Sequence, residues 1–275
     1  MPELPEVETV RKGLENIVVG KVIDDIDVFW PRLIEDSMSV GEWKRAVEHQ
    51  KIQSIGRRGK FLVFYLDSGI MVSHLRMEGK YDYHINKDEE PDKHTHIIFY
   101  FTDGTSLHYN DVRKFGRFAY VPYKQVNQYF HKKNLGVEPL TDAFNIDYFE
   151  ESLSHSPSKI KALLLSQKIV VGLGNIYVDE SLFNAGIHPK RSGNSLSKDE
   201  VKRLYDSINQ VLSDAIKAGG STIRTYKNTL GELGKFQQSL NVYGKQGQPC
   251  IKCHTPIEKI KIAQRGTHIC PYCQK

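Results

Sequence analysis

PCIKCHTPIEKIKIAQRGTHICPYC (residues 249–273) holds all four cysteines of the 275-residue chain. They form two C-x2-C pairs, Cys250 with Cys253 and Cys270 with Cys273, and sixteen residues separate the pairs. Four thiolates at this spacing are typical of a tetrahedral zinc site with a hairpin between the pairs, whereas two disulfides or free thiols are the alternatives. The spacing predicts one structural Zn2+ ion, which would supply much of the folding free energy of so small a lobe.

The positive charge of the chain is concentrated around this cysteine segment. The net charge is +5, yet residues 221–275 carry nine Lys and Arg against two Glu, a local charge of +7. The first 220 residues therefore sum to about −2. A local basic excess is typical of proteins that bind a polyphosphate, although a solvated basic tail has the same composition.

Upstream of the basic segment, hydrophobic spacing predicts a helix followed by strands. Residues 3–19 place apolar side chains on one helical face. From residue 21 to 121 short strand-like runs follow, with a hairpin turn at Asp103–Gly104 and an exposed loop at 86–93. This pattern indicates a β-sandwich with the first helix packed against it.

After Pro139 the pattern becomes helical, and its longest run extends from Ser197 to Ala218. We therefore predict an α+β protein of three domains. These are a β-sandwich with a leading helix at 1–122, a helical domain at 123–240 and a zinc-bound hairpin at 241–275.

No stretch of the sequence favours a membrane protein. No run of 18 or more apolar residues occurs, and the N-terminus lacks a basic segment followed by an apolar one. We expect a cytoplasmic protein that does not contact membranes. No heptad or additional apolar face calls for a partner subunit, so we also expect a monomer.

The chain opens MPELPEVETV (1–10), an acidic start for a basic protein. Removal of the initiating Met would leave Pro2 as a terminal secondary amine, and the positive end of a helix dipole favours its neutral, nucleophilic form. Such an amine can attack a sugar C1′ and form an iminium, while Glu3 beside it acts as acid or base. The alternative is an ordinary helix start, with proline and acids in the first turn.

Seven motifs together resemble the bacterial formamidopyrimidine-DNA glycosylases, which excise oxidised purines such as 8-oxoguanine. The resemblance runs from Met1 to the last cysteine pair, and the motifs occur in family order. They are MPELPEVETVRKGL (1–14), RRGKFL (57–62), SHLRMEGKY (73–81), NDVRKFG (110–116), VVGLGNIYVDESLF (170–183), AGIHP (185–189) and QRGTHICPYC (264–273). The family fold is a β-sandwich followed by a helix–two-turn–helix domain and a zinc finger, and its partner is damaged double-stranded DNA.

The resemblance implies a role for each residue of the catalytic site. Pro2 is the nucleophile that forms the Schiff base, Glu3 is the proton donor for glycosidic cleavage, and Glu6 supports the site. Lys60 contacts a phosphate beside the lesion and donates a proton in β-elimination. Arg265 on the zinc hairpin contacts phosphates and serves δ-elimination. Together these roles describe a bifunctional enzyme, a glycosylase that is also an abasic-site lyase.

The resemblance also implies how the enzyme holds DNA after a nucleotide leaves the stack. Met77, Arg113 and Phe115 fill the vacated space, since Phe can wedge between bases and Arg can hydrogen-bond the orphaned base. Without the family, Met77 and Phe115 would be read as core residues. The family positions that bind the DNA backbone are His94, Lys161 and Asn175.

The glycine-rich segment 219–234 is, in the family, the loop that covers the everted base. The resemblance implies that it reads the base through backbone N–H groups at Ile223, Arg224, Thr225 and Tyr226. Glu78, next to the wedge, is a further candidate contact to the base.

Two other functions remain open. A sister enzyme that removes oxidised pyrimidines shares the helical domain and the zinc finger, but its opening is typically PEGPE rather than PELPE. A non-catalytic zinc-dependent DNA-binding protein would also explain the cysteines and the basic tail, yet it has no need of Pro2 and Glu3. Pro2 and Glu3 therefore favour an enzyme, and the PELPE opening, the complete wedge of Met77, Arg113 and Phe115 and the long loop after Gly220 favour the glycosylase that acts on purines.

Overall fold

In a computed structural model of the protein, which describes residues 2–221 and 234–275, the first helix forms where the apolar spacing predicts it. Helix α1 spans Leu4–Val18, and Val7, Val10 and Leu14 on one face are buried. Gly20 follows with a φ of +89°, a left-handed value that suits the residue after a helix end.

Eight strands after α1 form two antiparallel, four-stranded sheets. The first sheet has the strand order β1-β6-β7-β5 and the second has the order β2-β3-β4-β8. The strands are β1 Ile23–Val28, β2 Ser54–Arg58, β3 Phe61–Tyr65, β4 Gly69–His74, β5 Lys80–His84, β6 Thr95–Phe101, β7 Ser106–Asn110 and β8 Arg117–Pro122.

One hydrophobic core lies between these sheets and α1. Ile26 and Phe99 from the first sheet, Phe64 and Phe118 from the second, and Leu14 from α1 belong to the same buried cluster. The inner faces of both sheets therefore exclude water together, which confirms the predicted β-sandwich with a leading helix.

Two elements of the sandwich were not predicted. Helix α2, Val40–Val47, lies within the region that we predicted as strands only, and its Trp43 is fully buried in the core. The capping box between Ser39 and Glu42 marks its start in the sequence. Strand β5 is also new, since its run KYDYH carries too many polar residues to stand out as a strand.

The predicted connections are confirmed. Residues 102–105 join β6 to β7, and Gly104 adopts a φ of +83° there. Residues 86–93 are exposed. After β8, helix α3, Val126–Lys132, covers the outer face of the second sheet, where Phe130 packs against a cluster that contains Val72 and Val121.

The chain groups into two compact units. The first comprises Met1–Lys133 and Gly219–Gly234, and the second comprises Asn134–Ala218 and Lys235–Lys275. The predicted domain limits after residues 122 and 240 stay predictions. Among the helices that the structure describes, none is long and apolar enough to cross a bilayer.

The second unit contains four helices and a hairpin among the residues that the structure describes. Helix α7 begins at a capping box formed by Ser197 and Glu200. Buried residues of these helices form a second core. The helices are α4 Ile146–Ser154, α5 Ile160–Leu165, α6 Asn175–Ala185 and α7 Lys198–Lys217.

The hairpin lies between the two cysteine pairs, as the spacing predicts. Strands β9, Glu258–Ile262, and β10, Arg265–Ile269, are antiparallel, with Arg265 opposite Ile262. The two turn residues, Ala263 and Gln264, have φ values of +48° and +59°, the left-handed pair that a tight hairpin turn requires.

Candidate active site

The start of α1 is a buried polar site built around the Glu6 carboxylate. Glu6 Oε2 accepts the backbone N–H of Glu3 at 2.8 Å. Its Oε1 accepts the backbone N–H of Ser221 at 2.7 Å and the Ser221 hydroxyl at 3.1 Å. Pro2, Glu3 and Glu6 are all buried. The Glu6 carboxylate therefore holds Glu3, the residue after Pro2, next to Ser221, which lies in the segment after α7.

Gly220 makes this approach possible. Its φ is +76°, and a Cβ at this position would lie 2.8 Å from Glu6 Oε1 and 3.2 Å from Glu6 Cα. Any other residue would have to strain its backbone and displace the Glu6 side chain. Position 220 therefore requires glycine because its backbone lies against the start of α1.

Lys60 lies in the two-residue turn between β2 and β3, and it is only 8% exposed. Gly59 before it has a φ of +56°. Arg57 holds the turn, because its guanidinium donates to the Gly59 carbonyl at 2.9 Å and to Glu8 Oε2 at 3.0 Å. Glu8 is on α1, so this ion pair ties the Lys60 turn to the helix that starts at the buried site.

Strand register brings the other sandwich candidates to the same edge. Phe61 pairs with His74, and His74 pairs with Arg117. The Lys60 turn, the turn after β4 and the loop before β8 therefore lie side by side at one end of the second sheet. In the first sheet Asn110 is opposite Lys80 and Thr95, which places the residue after β7 level with Gly79 and His94.

The turn after β4 carries Met77 and Glu78, both partly buried. Arg76 adopts a φ of +53°, and its N–H donates to His74 Nδ1 at 3.0 Å. This bond requires a neutral imidazole. Burial, together with the positive charges of Arg76 and Lys60, lowers the pKa of His74 to about 3. The turn is therefore built on an uncharged histidine.

The loop between β7 and β8 carries the remaining wedge candidates. Phe115 is 46% exposed, and Arg113 is exposed beside it. The Arg113 guanidinium lies over the Phe115 ring at 4.7 Å from its centroid. An exposed aromatic ring under a cation is unlike a core residue, so the structure excludes the core interpretation of Phe115.

Tyr109 joins the two wedge turns. It is fully buried at the end of β7. A Cβ on Gly79 or on Gly116 would overlap its hydroxyl group, so both glycines permit close approach of their backbones to this ring. The Met77 turn and the loop with Arg113 therefore rest on one rigid side chain.

In the second unit, Lys161 is a buried anchor for the hairpin. Its side chain is 0% exposed, and its Nζ donates to Asp179 Oδ1 at 2.6 Å, to Thr267 Oγ1 at 2.8 Å and to the Gly266 carbonyl at 3.3 Å. The amine is thus enclosed, and the DNA-backbone contact expected of Lys161 stays a prediction. Through these contacts Lys161 orients strand β10, whose first residue is the exposed Arg265.

Helix α6 provides further anchors for the same hairpin region. Asp179 Oδ2 accepts the backbone N–H of His268 at 2.9 Å. The buried Glu180 accepts three consecutive backbone N–H groups, those of residues 241–243, at 2.8 to 2.9 Å. Asn175, at the start of α6, donates from its side chain to the Gly266 carbonyl at 2.9 Å. These contacts hold the hairpin to the helix independently of a metal.

The four cysteines converge at the base of the hairpin. Their sulfur atoms all lie within 4.8 Å of one another, and Sγ of Cys253 is 3.4 Å from Sγ of Cys270. Four ligands at about 2.3 Å in a tetrahedron are separated by about 3.8 Å, so the set fits one zinc ion, and the sulfurs are too far apart for disulfides. In each pair, one sulfur accepts a backbone N–H at 3.4 Å, as thiolate ligands do.

Three family models match the chain in succession. They are the formamidopyrimidine-DNA glycosylase N-terminal domain at residues 1–118, the H2TH domain of the same enzymes at 135–227, and a zinc finger found in FPG and IleRS at 247–275. The chain belongs to the formamidopyrimidine-DNA glycosylase family. The family resemblance, the helix–two-turn–helix domain and the zinc finger predicted from the sequence are thereby confirmed.

Individual members of the glycosylase family align with the chain from end to end. The formamidopyrimidine-DNA glycosylase of Enterococcus faecalis is 57% identical and covers 100% of this chain and 98% of its own length. A Lactococcus lactis FPG mutant, solved in complex with Fapy-dG containing DNA, matches with a TM-score of 0.94 at 46% identity over 100% of both chains. The wild-type L. lactis protein, solved with DNA containing an oxidised pyrimidine, matches at 0.93 and 45% over 100% of both chains.

Some functional candidates of this family member lie outside the described residues, namely Ile223, Arg224, Thr225 and Tyr226 of the predicted lesion loop. The described residues before them, Gly220 and Ser221, are those that Glu6 holds.

Sequence reasoning missed several residues that support the site. Asp111, Tyr109, Asp179 and Glu180 all lie inside or beside the quoted motifs, but the roles of Tyr109, Asp179 and Glu180 depend on contacts distant in sequence. Only Asp111 could have been found from the local sequence. An Asp that precedes a short segment ending in Gly is typical of a turn in which the Asp side chain accepts backbone hydrogen bonds.

Proposed function

We propose that the protein removes oxidised purines, 8-oxoguanine and formamidopyrimidines, from duplex DNA and cleaves the resulting abasic site by β,δ-elimination. The proposal rests foremost on the buried start of α1, where Glu6 fixes the backbone of Glu3 next to Pro2. A protein that only bound DNA would not need a prolyl nitrogen held at a helix start beside two buried carboxylates. Membership in the glycosylase family supports the same function.

In the proposed reaction, Met1 is removed and the Pro2 amine attacks C1′ of the damaged nucleotide. A bond forms between this nitrogen and C1′, the glycosidic bond breaks, and the base leaves with the electron pair and takes up the proton that the amine loses. Glu3 supplies the proton that opens the sugar, and the result is an iminium at Pro2. The positive end of α1 favours the neutral amine that the attack requires.

Lys60 and Arg265 would serve the strand-cleavage steps. Lys60 contacts a phosphate and donates a proton in β-elimination, from a turn that the Arg57–Glu8 ion pair holds to α1. Arg265 contacts phosphates and serves δ-elimination from the exposed start of β10. Thr267 and Gly266, two of the groups that fix this strand, accept from Lys161.

The wedge residues would fill the duplex when the nucleotide turns out of the stack. Phe115 is exposed enough to enter between bases, and the Arg113 guanidinium above its ring can reach the orphaned base. Met77 follows at the same edge of the sandwich. The partner is therefore damaged double-stranded DNA, and the reaction takes place in the cytoplasm. His94 and Asn175 bind the DNA backbone. Residues 223–226 and Glu78 contact the everted base.

Borohydride trapping tests the proposal. Protein whose terminus is verified by mass spectrometry is incubated with a duplex that holds one 8-oxoguanine opposite cytosine. Borohydride then reduces any iminium to a stable adduct. We expect an adduct that maps to Pro2, none with Pro2→Gly, and an undiminished adduct with Pro5→Ala, the matched control in the same helix turn.

The lesion is varied in the same assay. A duplex with an oxidised pyrimidine is included, because the L. lactis relative was solved with such DNA. If the adduct forms faster with the oxidised pyrimidine than with 8-oxoguanine, the preferred lesion is a pyrimidine and not a purine. No adduct from zinc-loaded protein that begins at Pro2 would refute the Schiff-base mechanism.

A further inference from the structure

Asp111 is a buried carboxylate with no role in the proposed chemistry. It is the first residue after β7 and is 1% exposed. Its Oδ1 accepts the backbone N–H of Arg113 at 3.0 Å, and its Oδ2 accepts those of Phe115 and Gly116, both at 2.8 Å. One side chain thus organises the whole loop that presents the wedge.

The backbone of Asp111 is itself fixed from two sides. Its N–H donates to the His94 carbonyl at 3.0 Å, and its carbonyl accepts from His96 Nε2 at 2.9 Å. His94 immediately precedes β6, and His96 lies within it. Asp111 therefore does not move with the loop, because strand β6 holds it in place, and the loop is arranged around it.

The loop gains its shape mainly from this carboxylate. Residues 112–115 are exposed, and Lys114 has a φ of +57°, which a lysine adopts only when its surroundings impose it. Hydrogen bonds to an ionised acceptor are roughly twice as strong as neutral ones. Removal of the charge would free the Arg113 and Phe115 backbones to sample other conformations.

We infer that Asp111 is a positioning residue for the proposed wedge. It sets the depth and angle at which Arg113 and Phe115 enter the duplex, and it thereby sets the selectivity for the base opposite the lesion. This inference rests on the proposed function. Asp111 would thus control specificity for the opposite base although its side chain touches neither the DNA nor the reacting atoms.

The test compares two substrates with Asp111→Asn. One is a duplex with 8-oxoguanine opposite cytosine or adenine, which requires the wedge. The other is a preformed abasic nucleotide facing a one-nucleotide gap, where no base remains to be contacted. We expect kcat/KM on the first to fall about tenfold to a hundredfold, as when buried hydrogen bonds are lost. We expect less than about threefold on the second, with the preference between opposite bases reduced.

Asp103→Asn is the matched control. Asp103 accepts the Thr105 N–H at 3.1 Å in the turn at the other end of β7 and is distant from the wedge in strand register. It should leave both substrates and the opposite-base preference unchanged. Equal losses on both substrates with Asp111→Asn, or no loss, would overturn the inference. Inactivity of the wild-type protein on both substrates would instead refute the proposed function.

A second pair of variants changes the loop geometry at Lys114 and leaves the Asp111 carboxylate in place. Lys114→Val places a β-branched residue at a φ of +57°, whereas Lys114→Gly removes the same charge but tolerates that conformation. Lys114→Val should reproduce the substrate difference of Asp111→Asn, and Lys114→Gly should not. Identical behaviour of the two variants would contradict a role for loop geometry.

Discussion

Glu6 Oε1 accepts the backbone N–H of Ser221 at 2.7 Å, across 215 positions of sequence. The other oxygen of the same carboxylate holds Glu3, the neighbour of Pro2. The residue next to the proposed nucleophile and the segment that leads into the proposed lesion loop thus share one buried acceptor. Any displacement of this acceptor should disturb both.

Gly220→Ala should therefore reduce activity strongly. The new methyl group would lie 2.8 Å from Glu6 Oε1, at a φ of +76° that already disfavours alanine. We expect the single-turnover excision rate to fall at least about tenfold while affinity for uncleaved lesion DNA changes little. Gly104→Ala is the control, since its φ of +83° carries a similar strain but nothing lies within 4 Å of the added atom. Equal excision rates in Gly220→Ala and Gly104→Ala would show that overlap with Glu6 does not limit activity.

Arg265→Ala should weaken the salt dependence of DNA binding. If Arg265 neutralises one phosphate, the slope of log K against log salt should become shallower by about 0.9. Fluorescence anisotropy across a salt series measures the slope. Lys198→Ala removes the same charge from an 86% exposed side chain on α7 and should leave the slope near the wild-type value. An unchanged slope with Arg265→Ala would remove this residue from the phosphate contacts.

Lys161→Met should destabilise the second unit by about 3–5 kcal/mol, because it leaves Asp179 as a buried charge without its 2.6 Å partner. Adding Asp179→Asn should recover part of this loss, which urea denaturation would show. Lys202→Met breaks an exposed 2.8 Å pair with Asp206 on α7 and should leave the stability close to the wild-type value. Additive effects of the two buried substitutions would mean that the ion pair contributes nothing.

Stability should fall in acid in part through His74. Its pKa is about 3 in the folded state and about 6.5 when exposed, so the unfolded chain binds the extra proton first. The free energy of unfolding contributed by this group is complete above pH of about 6.5. It is lost toward pH of about 3, by up to about 1.4 kcal/mol per pH unit.

His74→Gln should flatten that part of the pH profile. Urea midpoints measured between pH 7 and 4 would show a smaller decrease than in the wild type. The exposed His155→Gln is the control and should retain the wild-type slope. A variant profile as steep as that of the wild type would assign the acid sensitivity to other groups.

The sequence predicts the elements whose cause is local. The sandwich strands other than β5, helix α1, the long helix α7 and the cysteine hairpin follow from apolar periodicity, caps and ligand spacing, which act over a few residues. Helix α2 escapes prediction because the hydrophobic runs around it suggest strands, although the Ser39 capping box marks its start.

Residues whose role depends on distant partners could not be placed from the sequence. Lys161 reads as an ordinary surface lysine, yet tertiary packing encloses it between α6 and the hairpin. Nor does anything local indicate that Gly220 faces Glu6 or that Gly79 and Gly116 meet at Tyr109. Motif resemblance supplies the candidates, and long-range contacts decide what each one does.

The acidic pair on α6 limits how the zinc finger can be exchanged between proteins. Asp179 and Glu180 accept the backbone N–H groups of His268 and of residues 241–243, so these four hydrogen bonds of the junction depend on the host helix. A chimera that received residues 247–275 alone would inherit the metal ligands without this receptor. Conversely, deletion of the finger would take the His268 N–H away from the buried Asp179, which would keep only the Lys161 amine of the donors described above. In this protein the unit that can be recombined is the finger together with its helix.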